Sequence, residues 1–159
     1  YGRDARVTVL DLPQQIEMMR ENIKGKDGAE RIDGYGMNVL DESHDFPTMA
    51  DGPDAIWMSQ FLDCFSLEQI VSILRRAKKA MKPNTRIYIM ETLWDRQKYE
   101  PATLCLTLTS LYFTALANGN SKMYNTEDME QCINEAGLEI EQIHDHLGQG
   151  HSILVVKKG

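Results

Sequence analysis

Several kinds of signal are scarce in this sequence, and each scarcity closes off a class of function. Among 159 residues there are three cysteines, Cys64, Cys105 and Cys132. An odd number without CxxC spacing suggests neither a disulfide framework nor a zinc ribbon, and a reducing cytoplasm is the expected compartment. No apolar run approaches the length of a bilayer span and no signal peptide opens the sequence, so no membrane role is expected. Lysine and arginine do not cluster beyond Arg75-Arg76 with Lys78-Lys79, and the net charge is −7. Phosphate binding relies on clustered cations, which argues against nucleic acid as a partner. Those four charges read instead as the solvated face of one helix. Internal repeats and low-complexity segments are absent. So is a glycine-rich turn ahead of the first legible strand, where nucleotide-binding α/β folds carry one.

What is present is ordinary globular chemistry, 42% hydrophobic and 26% charged residues in a length that suits one domain and can bury a core. The first strand, Val7-Thr8-Val9-Leu10, ends in Asp11. An acidic side chain at a strand tip commonly holds ribose hydroxyls in such folds. Without the strand and glycine turn that normally precede it, the sequence reads as the later part of a cofactor-binding domain.

Periodicity gives an alternation of strands and helices. Residues 6 to 10 read as a strand, and Pro13 opens a helix to Asn22, because proline is tolerated where the first helical turn needs no N–H. Residues 54 to 59 form a continuous apolar run, the look of a central parallel strand covered on both faces. Ser66, with Glu68 and Gln69, starts an amphipathic helix carrying Ile70, Ile73, Leu74, Ala77 and Met81, and Pro83-Asn84 stops it. Residues 86 to 91 make the next strand. Residues 101 to 118 predict a helix apolar around most of its circumference, buried against either a substrate cavity or a partner subunit. Asn125 caps a helix that ends at Ala136-Gly137, and residues 138 to 144 and 151 to 157 predict an antiparallel hairpin. The segment Asp41 to Pro53, rich in Asp, Gly and Pro, is the expected flexible stretch.

A β/α series closing in an antiparallel hairpin resembles the S-adenosylmethionine (SAM)-dependent methyltransferases with a Rossmann-like sheet more than a nicotinamide-binding domain. The stretches VTVLDLP (7 to 13), RIDGYGMNVLDESHDFP (31 to 47), PDAIWMSQFLDCFSLEQIVSILRRAKKAMKPNTRIYIMETLWD (53 to 95) and NTEDMEQCINEAGLEIEQI (125 to 143) resemble one family. It is the dimeric small-molecule O-methyltransferases with an N-terminal winged-helix dimerisation domain. The resemblance implies an α/β fold, a Rossmann-like class I methyltransferase sheet ending in an antiparallel hairpin. Residues 1 to 159 are then the C-terminal part of one catalytic domain, its first strand, glycine-rich loop and dimerisation domain lying before Tyr1.

The same resemblance assigns roles. Asp11, followed by Leu12, accepts hydrogen bonds from both ribose hydroxyls of SAM; otherwise it is a turn residue. Asn38 stands where the family carries an aspartate for the adenine amino group, with Val39 beside the ring, and a turn-forming Asn is the alternative. Ser59 and Gln60 face the cofactor or simply end a strand. At the catalytic positions the chain departs from the family. Where phenol methylators have His-Asp-Trp-Ser, with the histidine as base, this sequence reads Asp63-Cys64-Phe65-Ser66. A carboxylate of ordinary pKa near ~4 is a poor base for a phenol near ~10 unless burial raises it. Asp63 is either a substrate-orienting group, a shifted base, or a residue that opens the helix. Glu91 matches a family glutamate that steadies the histidine, and Met123 replaces a second glutamate. The acceptor is then a small molecule that needs no strong base, or the chain no longer catalyses.

Other constellations are weighed beside these. His144 and His146 share one strand face and His151 begins the paired strand, so three imidazoles could converge, but polar residues near a hairpin turn are usually just exposed and no metal is expected. Met18, Met19, Met81 and Met129 occupy core-like helical positions, whereas Met58, Met90 and Met123 suit the wall of a pocket for a flat ligand. Cys64 reads as buried packing. Two functions remain: a SAM-dependent methyltransferase of small molecules, homodimeric when intact, or a non-catalytic binding member of the same fold. A nicotinamide enzyme is a remoter third, since Asp11 would serve that cofactor equally well.

Overall fold

The computed structural model describes residues 5–48, 52–117 and 119–159, so residues 49–51 of the expected flexible stretch and Asn118 of the expected apolar helix lie outside the described residues, as does Tyr1. The chain divides into two compact units, 1–47 and 48–159.

The first unit is a β-α-β arrangement. Strand β1 (Val7–Asp11) runs parallel to β2 (Ile32–Gly36), Asp11 opposite Gly36, and helix α1 (Pro13–Ile23) connects them. The β-branched residues of β1 favour extended backbone, and Pro13 occupies the first helical turn of α1 as expected. Helix and strand approach closely because β2 carries glycine at alternate positions. A Cβ on Gly34 would sit 2.5 Å from Ile16 Cγ2, and one on Gly36 3.0 Å from Pro13 Cα. Ile16 is the buried anchor of α1, at 2% exposure. Met18, expected in the core, is 57% exposed, because α1 buries only a narrow stripe against two strands. After β2 the chain is not loose: Asp41 N–H donates to Asn38 C=O, Asp41 accepts from the Ser43 backbone N–H, and Phe46 is buried.

The second unit is built on a four-stranded sheet in the order β3-β4-β6-β5. Here β3 (Ala55–Ser59) and β4 (Arg86–Glu91) are parallel, and β6 (His151–Lys158) is antiparallel to both β4 and β5 (Leu138–Leu147). Helix α2 (Leu67–Ala80) starts in a full capping box, Ser66 and Gln69 exchanging backbone and side-chain bonds. It buries Ile70, Ile73, Leu74 and Ala77 completely. Ile87, Ile89, Leu154 and Val156 of the sheet are equally buried, and Met129 and Ile133 of α4 (Thr126–Glu135) join the same core. Asn125 caps α4 by accepting the Asp128 N–H at 2.7 Å, and Gly137 follows it with φ of +73°, the left-handed turn that favours glycine.

Four expectations change here. The β3 run is not covered on both faces: among the described residues it pairs only with β4, and Trp57 is 57% exposed beside Tyr88. The apolar helix is α3 (Glu100–Tyr112) continued by a π-helical turn (Phe113–Ala117), and no residue of α3 is buried. Leu104, Leu108, Leu111 and Leu116 are between 57% and 76% exposed, since the helix meets its own unit only along the opposite side. The four cations of α2 are not a uniform solvated face. Arg76 is 5% exposed, while Arg75 donates to the carbonyl of Glu135, the last residue of α4, and Lys78 to that of Gly137 just past it. Finally, the hairpin is longer than expected and is interrupted by register shifts between Ile140 and Gln142 and between His144 and Leu147, with His146 at φ +59°. A bulge breaks the two-residue alternation, so His144 and His146 do not line up as a regular strand would place them. Among the described residues no group of three or more potential metal ligands forms.

Candidate functional site

In each unit the candidate residues collect at the carboxyl ends of parallel strands, where open α/β sheets bind ligands. At the end of β1, Asp11 is exposed and one of its oxygens, Oδ1, accepts the Leu12 N–H at 2.7 Å. Leu12 closes the strand and begins α1, its carbonyl accepting from Gln15 and Ile16. At the end of β2, Asn38 Oδ1 accepts the Leu40 N–H at 3.0 Å, so Asn38 does form a turn, and Val39 within it is half-buried. A carbonyl oxygen has a second lone pair, so the turn does not exhaust Asn38 as an acceptor. The same segment brings Asp41, Ser43 and His44 together, but Ser43 Oγ and Asp41 Oδ2 both meet His44 Nδ1. A nucleophile relay needs the two partners on opposite imidazole nitrogens, so this cluster is a turn and not a triad.

In the second unit Ser59 and Met90 are register partners, which places Ser59, Gln60 and Glu91 at one end of β3 and β4. Gln60 has φ of +44°, rare for a residue with a Cβ, and its N–H is held by the Met90 carbonyl at 2.8 Å. The chain then turns through Leu62–Cys64 into α2. Glu91 fixes this turn. Its Oε1 accepts the N–H groups of Phe61 (3.0 Å) and Leu62 (2.9 Å), whereas its buried Oε2 has no hydrogen-bond partner among the described residues. Glu91 is 2% exposed. Loss of water, and next the charge of Asp63, push its carboxyl up to about 7, against the pull of the backbone donors.

Asp63 is half-buried and its own pKa is raised, chiefly by loss of water, although a bond from Cys64 Sγ at 3.5 Å opposes the shift. Asp63 thus follows directly on the two backbone N–H groups that Glu91 pins, and its charge is the second cause, after burial, of the raised pKa of Glu91. Cys64 is exposed and not buried packing, because its side chain turns back towards Asp63. Desolvation and the neighbouring carboxylates push its thiol up to about 11, which makes it a poor nucleophile at neutral pH.

A second segment, 121–124, clamps the same turn, and nothing local in the sequence announced it. Lys122 N–H donates to the Asp63 carbonyl at 3.0 Å, and Tyr124 Oη donates to the Phe65 carbonyl at 2.6 Å. Met123 N–H donates to Ser110 Oγ of α3, and Met123 Sδ accepts from Thr92 Oγ1. Met123 is 7% exposed and Met58 6%, so of the three methionines expected to line a pocket, two are core and Met90 is half-buried.

Residues 3–139 match the family described as an O-methyltransferase domain. The mitomycin biosynthesis 6-O-methyltransferase of Streptomyces lavendulae is 28% identical over 137 residues, covering 86% of this chain and 36% of the relative. O-methyltransferase VdtC of Byssochlamys spectabilis is 24% identical, covering 98% of this chain and again 36% of the relative, so the chain spans about a third of these curated relatives. Among solved structures, the mitomycin 7-O-methyltransferase superposes with a TM-score of 0.80 at 23% identity, over 97% of this chain and 42% of that one. With that domain matched over residues 3–139, the chain belongs to the O-methyltransferase domain family.

Proposed function

We propose that the protein carrying this chain transfers a methyl group from SAM to a hydroxyl oxygen of a small molecule. The observation that carries this reading is the turn at the carboxyl ends of β3 and β4, where Glu91 pins the backbone that leads to Asp63, in a chain of the O-methyltransferase family. Asp11 fits the cofactor's ribose: one carboxylate oxygen is engaged by Leu12 N–H and the other is left for a hydroxyl. Asn38 and Val39 are the proposed adenine residues, and Leu12, Ser59 and Gln60 are the other proposed cofactor residues. The chemistry that SAM supplies when bound is a methyl on a sulfonium, an intrinsically good donor, so positioning the acceptor oxygen accounts for much of the acceleration.

Asp63 takes the hydroxyl proton as the acceptor oxygen forms its new bond. Glu91 holds the turn that carries Asp63. Ordinary general-base assistance of this kind contributes roughly 10²–10⁴-fold. The exposed leucine stripe of α3 supports a homodimer, and the free thiols support a reducing, cytoplasmic setting.

The test is calorimetric titration of SAM and S-adenosylhomocysteine into the intact protein, with NAD as control, followed by turnover assays on hydroxylated aromatics. Binding of both sulfur ligands and not of NAD is expected. A folded protein that binds neither refutes the reading.

A further inference from the structure

The connection from β3 to α2 is a single tight turn, Leu62–Cys64, entered through the left-handed Gln60. Bonds within it run from Cys64 N–H to the Phe61 carbonyl at 3.3 Å and from Phe65 N–H to the Leu62 carbonyl at 3.1 Å. So short a turn does not hold its own shape, and backbone groups it leaves over need partners from elsewhere. At the entry, Glu91 takes the N–H groups of Phe61 and Leu62. At the exit the partners come from residues 121–124: Lys122 N–H reaches the Asp63 carbonyl and Tyr124 Oη the Phe65 carbonyl. Those two carbonyls bracket the backbone that leaves Asp63, so this segment sets how the turn runs into α2.

The segment is itself firmly seated. The Tyr124 carbonyl accepts Trp94 N–H at 3.3 Å, Met123 N–H donates to Ser110 Oγ at 3.1 Å, and Thr114 Oγ1 donates to the Ser121 carbonyl at 3.2 Å. Ser121, Met123 and Tyr124 are all buried. Lys122 offers a backbone N–H, which nearly any residue would supply. The donor at the Phe65 carbonyl is different, because it is a side-chain hydroxyl and depends on the residue being tyrosine. Burial pushes that phenol up to about 12, so it remains a donor at neutral pH.

We infer that Tyr124 is a positioning residue whose hydroxyl fixes the exit of the turn and, through it, the place of Asp63 at the strand ends. That Asp63 serves methyl transfer rests on the reading proposed above. Entry and exit are held from two different places, Glu91 at the end of β4 and Tyr124 ahead of α4, with residue 63 between them. Removing one hydroxyl frees the exit while the entry stays pinned, which displaces residue 63 without dismantling the turn. A displacement of about 1 Å at a group that must meet a reacting atom can cost about 10²-fold in rate.

The experiment is hydrogen exchange of the intact protein and its Tyr124→Phe variant, read by mass spectrometry on peptides covering 58–66 and 119–126, with 151–158 of β6 as the reference. Exchange should quicken about tenfold in the first two and not in the third, the size expected when a carbonyl loses its donor and the opening is local. Unchanged exchange, or an equal rise in all three peptides, overturns the inference. Ser110→Ala removes the acceptor of Met123 N–H from a helix with no buried residue, and it should quicken the same two peptides. If Tyr124→Phe does not fold, that variant decides by the same criterion. Turnover of hydroxylated aromatics gives a second readout: kcat should fall about 10–10²-fold with KM and S-adenosylhomocysteine binding held within about twofold. On an Asp63→Asn background Tyr124→Phe should cost nothing further, and a loss that persists there overturns a role exerted through Asp63. Failure of the folded wild type to bind S-adenosylhomocysteine sinks the methyltransferase reading alone, since exchange still decides whether Tyr124 holds the turn.

Discussion

Replacing Glu91 by glutamine should make the protein's stability markedly less sensitive to alkali. Glu91 is 2% exposed, and burial, followed by the charge of Asp63, lifts its carboxyl from 4.5 to about 7. Between those two values the native state binds the proton and the unfolded chain does not. The contribution is therefore fully present below 4.5 and is lost as pH rises through about 7. A difference of that size corresponds to roughly 3 kcal/mol. Glutamine preserves the shape and a carbonyl oxygen for the Phe61 and Leu62 N–H groups, but it does not titrate. The assay is urea unfolding of the intact protein and the Glu91→Gln variant at pH 4 and pH 8, with linear extrapolation to water. All other titrating groups are shared, so they cancel in the comparison. Relative to wild type, the variant should gain roughly 3 kcal/mol on going from the acid to the alkaline condition. Parallel pH dependence of the two proteins, within about 1 kcal/mol, would refute the claim that Glu91 is held protonated by its surroundings.

Asp63→Asn should lower kcat by roughly 10²–10⁴-fold while leaving S-adenosylhomocysteine binding intact, since it removes the proton acceptor but no ribose or adenine contact; steady-state kinetics with calorimetry checks both halves. Gly34→Ala puts a Cβ 2.5 Å from Ile16 Cγ2 and 2.9 Å from Met19 Cε. Met19 can move its end but buried Ile16 cannot, so the variant should lose about 1–3 kcal/mol in urea unfolding, with faster hydrogen exchange along α1. Gln60→Gly relieves a left-handed backbone at φ +44° and should raise stability by about 1 kcal/mol, read as a higher Tm; an unchanged Tm would mean the turn carries no strain.

Local chemistry made much of the fold legible, and the failures share one physical cause. Pro13 at the start of α1, the Ser66–Gln69 capping box, Asn125 and Gly137 each act within a few residues, and each element lies where those signals put it. Apolar periodicity, by contrast, reports that a face is apolar and not what covers it. That is why the β3 run and the α3 leucines read as buried while Trp57 and Leu111 are exposed. Arg76 shows the same gap with the sign reversed, a charge read as solvated that is nearly inaccessible. Asp63 and Glu91 could be proposed as site residues from the family's motif order, and the structure places both at the turn after β3. The Lys122 and Tyr124 clamps could not be, because Tyr124 reaches a carbonyl 59 positions away and no short-range pattern encodes such a contact. The hairpin bulge at His144–Leu147 is a register irregularity, invisible to an alternation count.

Glu91 is where fold and chemistry become hard to separate. Its Oε1 pins the two backbone N–H groups that set the turn carrying residue 63, so the glutamate is needed structurally whatever stands at that position. Beside the family's histidine, its negative charge would favour the imidazolium that forms when the base takes a proton. With Asp63 at that position the neighbour carries a like charge, and burial first, then that charge, lifts the Glu91 carboxyl to about 7. One side chain at position 63 thus reverses the sign of an interaction whose geometry the turn leaves in place. The change in base strength falls on the choice of acceptor and not on the fold, because the backbone bonds that shape the turn are indifferent to which acid or base it carries.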